Sequence, residues 1–87
     1  MYATTWMRHY IIDYAEQMPH VCAYRIDPVQ RKDLYVDYRR HVTLVDHHKP
    51  IGYSQFCSLW NKLFVSGIHV DGVKYKCEMR PGIYTYI

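Results

Sequence analysis

The sequence predicts a single α+β domain in which three helices precede a C-terminal β-hairpin. Three observations carry that expectation. Apolar residues recur at helical spacing over three segments of the first three-quarters of the chain. From Ser66 onward the period drops to about two, the spacing of a strand. The pair Asp71-Gly72 then divides that run as a two-residue hairpin turn does.

The first helix is expected over residues 4–17. Thr4 or Thr5 caps it, and Trp6, Tyr10, Ile11 and Tyr14 share one face. Pro19 is expected to end it. Residues 20–27 read as a connector, with Val21, Ala23 and Ile26 able to form a short strand.

Asp27-Pro28-Val29-Gln30 has the form of a helix start, with Asp27 as cap, Pro28 in the first turn and Gln30 closing a capping box. A start nearer Arg31 also fits. The helix runs to about Val45, and Leu34, Tyr38 and Val42 form its apolar stripe beside Tyr35 and Val45. Arg31, Lys32, Arg39 and Arg40 interleave with Asp33 and Asp37, as on a solvated face.

Residues 46–50 are a polar break, after which Ile51 can add a residue or two of strand. Gly52 or Ser54 caps a third helix over residues 53–64. Phe56, Leu59, Trp60 and Leu63 point inward, and Ser54, Gln55, Ser58, Asn61 and Lys62 make the opposite stripe. Ile68-His69-Val70 and Val73 to Cys77 form the hairpin. Pro81-Gly82 is a second turn, and residues 83–87 a closing strand. Three helices followed by a β-hairpin make the winged helix-turn-helix plan, here filling residues 1–87 as one domain.

Composition narrows the function. At 87 residues there is room for one core. A hydrophobic content of 49% with ten tyrosines excludes a disordered chain. The formal charge of +3 is mild, but its distribution is not even. Residues 1–46 carry six basic and six acidic side chains, whereas residues 47–87 carry five basic against two acidic. The whole excess lies in the half that holds the third helix and the hairpin, as a nucleic-acid face requires.

Cys22, Cys57 and Cys77 are odd in number and form no C-x-x-C pair. No signal peptide follows Met1, and no apolar run approaches the ~20 residues of a membrane span. A nuclear or cytoplasmic protein with reduced thiols, away from membranes, is expected. No cysteine pair has C-x2-C spacing and no histidine pair H-x3-H spacing, so no metal is expected. No phosphate-cradling glycine loop, paired carboxylates or nucleophile set is visible, so neither an enzyme, a cofactor nor a small-molecule substrate is expected.

What remains is a binding chemistry. On the third helix, Gln55 and Asn61 match adenine edges, Ser54 and Ser58 either bonding partner, and Lys62 phosphate or guanine. No acidic residue interrupts that stripe. On the hairpin, Lys74 and Lys76 share one strand face, suited to phosphate, and Arg80 follows. Lysines on an edge strand also protect it from aggregation. Arg39 and Arg40 near the end of the second helix complement its dipole and can reach phosphate. Tyr53 can stack on a base.

The run Leu34-Tyr35-Val36-Asp37-Tyr38-Arg39-Arg40-His41, then Pro50-Ile51, then Ser54 to Trp60, resembles the L-Y-x-x-Y-x-x-x(H), P-(I/V), F-x-x-(L/I) arrangement of the regulatory factor X type of winged-helix DNA-binding domain. Lys74-Tyr75 and the closing Tyr84 and Tyr86 extend the resemblance, which covers roughly residues 31–87. Similar patterns occur in the DNA-binding regions of some eukaryotic transposases and in winged helices that follow viral helicase-primases. The resemblance implies a winged helix that binds duplex DNA, in a transcription regulator, a transposase or a replication protein. Ser58, Lys62, Lys74, Lys76, Arg39 and Arg40 map to contacting positions. The family's wing is long and arginine-rich, whereas this hairpin is short and carries lysines.

Double-stranded DNA is therefore the expected partner, with the third helix in the major groove, the hairpin on the backbone and other domains of a larger protein alongside. A protein-interaction module on the same fold, presenting Tyr35, Tyr53 and Tyr86, is the first alternative. Single-stranded nucleic acid or RNA, stacked on Tyr53, is the second.

Overall fold

A computed structural model describes residues 2–80 of the chain. These form three α-helices and a four-stranded sheet, so the domain is α+β. Helix α1 spans Tyr2–Tyr14, strand β1 Glu16–Met18 and strand β2 Ala23–Ile26, with a turn of 3-10 helix at Pro19–Val21 between the strands. Helices α2 and α3 span Arg31–Leu44 and Tyr53–Ser66. Strands β3, Ile68–Val70, and β4, Val73–Met79, close the order.

The sheet runs β1-β2-β4-β3. Both outer pairs are antiparallel hairpins, and the central pair β2-β4 is parallel, with Ala23 opposite Lys76 and Ile26 opposite Met79. A parallel pair needs a crossover, and α2, α3 and β3 supply it. The β3-β4 hairpin turns on Asp71 and Gly72, at φ of 51° and 79°. Positive φ at both central residues is what a tight hairpin turn demands.

One core joins the layers. Met7 and Ile11 of α1, Leu34, Tyr38 and Val42 of α2, and Phe56, Trp60 and Leu63 of α3 are buried against Tyr24, Ile26, Ile68 and Cys77 of the sheet. Trp60, the largest fully buried side chain, meets Tyr10 edge-on at 6.1 Å and Phe64 at 5.3 Å. Burial of such aromatics is the main stabilising term open to so small a domain.

Several local expectations need correction. The first helix ends at Tyr14, ahead of Pro19, because Glu16–Met18 leaves to pair with β2. Asp27 does not cap α2. The cap position is Gln30, which makes no side-chain capping bond, and Pro28 lies outside the helix. Ile51 forms no strand. Its backbone N–H donates to the Tyr38 hydroxyl at 3.1 Å and its carbonyl accepts from the Tyr35 hydroxyl at 2.6 Å, so α2 satisfies it in place of a sheet. Helix α3 continues to Ser66, two residues beyond the expected end, and stops at Gly67 with φ of 75°. The β3-β4 hairpin forms half of the four-stranded sheet. The expected turn at Pro81-Gly82 and the closing strand lie outside the described residues.

Candidate nucleic-acid interface

Helix α3 is held by three buried side chains, Phe56, Trp60 and Leu63. Their spacing leaves Ser54, Gln55, Ser58, Asn61 and Lys62 all exposed to solvent. The helix contains no acidic residue along its 14 positions. Its N-terminus is capped by backbone alone, since Gly52 offers no side chain, and its first N–H groups therefore remain available to an acceptor.

The two halves of α3 have different neighbours. At the N-terminal end, Tyr53 is 41% exposed and meets the Tyr35 ring of α2 edge-on at 5.3 Å. The Arg39 guanidinium lies 6.0 Å from the centre of that Tyr35 ring, within cation–π reach. A hydrogen bond with the Cys57 thiol, with burial second, raises the Tyr53 phenol pKa above its ordinary value. Arg39, Tyr35, Tyr53 and Cys57 thus make a seam across α2 and α3.

At the C-terminal half the neighbours are cations. Arg31 donates from Nη2 to Oδ1 of Asn61 at 2.6 Å. That bond takes one lone pair of Oδ1 and leaves the amide N–H groups to donate. The Asn61 oxygen has a second lone pair, so that bond leaves one acceptor position open as well. Lys74 and Lys76 border an open cleft of about 530 Å3 together with Phe64, Val65 and Ser66 at the end of α3. Ammonium groups near a helix C-terminus are favoured by its dipole. The acidic residue of that cleft, Glu78, is engaged by Arg25 on the neighbouring strand at 3.2 Å.

Arg40 and Arg80 are placed differently. Arg40 is exposed and reaches Asp37, one turn back, only at 4.0 Å. Arg80 follows β4 and is held by two carboxylates, Glu16 at 2.5 Å and Asp27 at 3.4 Å. Its charge is compensated, and it ties the ends of β1, β2 and β4 together.

The eleven residues expected at a DNA face are all exposed, but they are not one cluster. Tyr53, Ser54, Gln55, Ser58, Asn61 and Lys62 share α3, Lys74 and Lys76 meet its C-terminal end, and Arg39 stands over Tyr35. The contact of Arg31 with Asn61 has no local signal in the sequence, because it spans 30 positions.

All three cysteines are free thiols. Cys77 is buried, and that burial pushes its pKa up to about 11. It is a packed side chain without nucleophilic character at neutral pH. Among the described residues no group of three histidine, cysteine or acidic side chains is placed to hold a metal ion. No described helix is long and apolar enough to cross a membrane. Comparison with protein-family models, with curated proteins and with solved structures finds no match to this chain.

Proposed function

We propose that this domain binds double-stranded DNA, with α3 in the major groove. The observation that carries the proposal is the solvent face of α3, where five polar side chains stand exposed on a helix free of carboxylates. Gln55, Ser54 and Ser58 face base edges, and Asn61 joins them through its amide N–H groups and the second lone pair of Oδ1. Lys62, Lys74 and Lys76 hold phosphates, with Arg39 and Arg40 reaching the backbone from α2. Arg80, already paired with Glu16 and Asp27, takes no part. In this reading the β3-β4 hairpin plays the part of a wing.

The charge asymmetry supports the same reading, since all of the formal excess lies in residues 47–87. Fluorescence anisotropy of a labelled random-sequence duplex, followed by sequencing of the bound fraction, tests it. Saturable binding at low salt is expected. Failure to bind any duplex overturns it.

A second reading, binding of single strands, is favoured by one observation: the exposed Tyr53 ring beside Tyr35 and Arg39. Aromatic stacking contributes about 1–3 kcal/mol per base. Affinity for a single strand above that for a duplex at equal salt, lost in Tyr53→Ala, selects this second reading.

A further inference from the structure

The cleft between the end of α3 and strand β4 has a chemistry that duplex binding uses only in part. Its volume of about 530 Å3 is in the range of small-ligand sites. Val21, Cys22, Phe64 and Val65 give it an apolar wall, and Lys74 and Lys76 border that wall. Val21 is 56% and Val65 86% exposed, so their methyl groups face solvent.

Two features separate this cleft from an ordinary surface hollow. First, its charge is one-sided. Among the described residues no carboxylate lies within ion-pair reach of Lys74 or Lys76. The acidic side chain of the lining, Glu78, is taken by Arg25 at 3.2 Å, and Arg25 stands outside the lining. The two ammonium groups are therefore left without a counter-charge in the cleft. Second, the walls are fixed in advance. The Cys22 carbonyl accepts from Lys76 N–H at 2.9 Å, which ties the turn ahead of β2 to β4. The backbone of Gly67 approaches the Tyr75 carbonyl too closely to admit a Cβ, which holds the end of α3 against β4. The Phe64 ring is set by its edge-on contact with Trp60 at 5.3 Å.

Apolar surface beside unpaired ammonium groups suits an amphiphilic anion. The chain leaves water against the apolar wall, while the head stays at the charges. We propose that this cleft binds a medium-chain aliphatic carboxylate, with its chain along Val21, Phe64 and Val65 and its head at Lys74 and Lys76. A carboxylate offers one oxygen to each ammonium group, and lysine accepts such a head without the fixed geometry of an arginine fork. The site shares Lys74 and Lys76 with the proposed DNA face but does not depend on that reading.

Backbone amide shifts of the protein, followed by NMR during titration with sodium octanoate, test the proposal. Saturable shifts in the millimolar range are expected, confined to Cys22 and to residues 64–67 and 74–78. Octylammonium, with the same chain and the opposite charge, is expected to bind at least about tenfold more weakly. Butanoate keeps the head and shortens the chain, and is expected to bind about tenfold more weakly. Lys74→Gln combined with Lys76→Gln, and separately Val65→Asp, alter exposed positions and are each expected to weaken octanoate by about fivefold. Shifts that do not saturate or that fall elsewhere, equal binding of octylammonium, or equal binding of butanoate would overturn the proposal. So would unchanged affinity in both variants when their other amide shifts match the parent. The titrations contain no DNA, so absence of duplex binding leaves their outcome untouched.

Discussion

Tyr35 donates its hydroxyl hydrogen to the Ile51 carbonyl at 2.6 Å, and so fixes the backbone at the entry to α3. The next turn of α2 does the same for the preceding peptide, since the Tyr38 hydroxyl accepts from Ile51 N–H at 3.1 Å. The chain between α2 and α3 is too long for a tight turn, and these two bonds orient it instead. Removal of either hydroxyl leaves a half-buried backbone group unpaired. Tyr35→Phe and Tyr38→Phe are each expected to cost about 1 kcal/mol, read as a fall in Tm of about 4–8 °C. A pair of variants as stable as the parent would show that solvent replaces both bonds.

Gly67 and Gly72 are not equivalent. Gly67 has φ of 75° and Gly72 φ of 79°, so a side chain strains both. At Gly67 an added Cβ also collides with the Tyr75 backbone carbonyl, whereas at Gly72 it meets open space. Gly72→Ala is expected to cost roughly 1–2 kcal/mol, and Gly67→Ala about 3 kcal/mol or more, since backbone cannot give way. Urea titration of both variants checks the order, and equal midpoints would contradict it.

Stability is expected to fall in alkali. The Cys77 thiol is held up to about 11 by burial, against about 8.5 in an unfolded chain. The folded state therefore keeps a proton that the unfolded state has lost. This contribution is intact below about pH 8.5 and is lost as pH rises towards 11, with a slope of at most about 1.4 kcal/mol per pH unit. Tyr24 acts in the same direction, its phenol raised by burial first and by Tyr75 next. The slope is expected to diminish in Cys77→Ala, and a Tm independent of pH across that window would refute the account.

Arg80 separates a structural cation from a binding one. Its guanidinium bridges Glu16 and Asp27, and its backbone N–H donates to the Ile26 carbonyl at 2.7 Å. Arg80→Ala is expected to lower stability by less than about 1 kcal/mol, as exposed ion pairs do, and to leave DNA affinity unchanged. A tenfold loss of affinity in Arg80→Ala would return this residue to the interface.

The parts of the fold written in local periodicity are legible in the sequence. Phe56, Trp60 and Leu63 mark α3 and its exposed face, and Asp71-Gly72 marks the hairpin, because helix and strand periods are properties of neighbouring residues. Strand β1 is not legible, since Glu16-Gln17-Met18 has no alternation and owes its state to pairing with β2. The parallel pairing of β2 with β4 is equally hidden, because 53 positions separate Ala23 from Lys76. The candidate site divides along the same line. Exposure of Ser54, Gln55 and Ser58 follows from helical spacing. The bond from Arg31 to Asn61 and the capture of Arg80 by Glu16 arise only when distant elements meet.

Salt dependence of duplex affinity tests the central claim most directly. Phosphate contacts by Lys62, Lys74 and Lys76, with Arg39 and Arg40, are expected to give a slope of log K on log salt of about −4 to −5, by about −0.9 per contact. Lys62→Ala combined with Lys74→Ala is expected to reduce the magnitude of that slope by about 2. A duplex affinity that does not change with salt, or a slope unaltered in the double variant, would contradict binding through α3 and the hairpin.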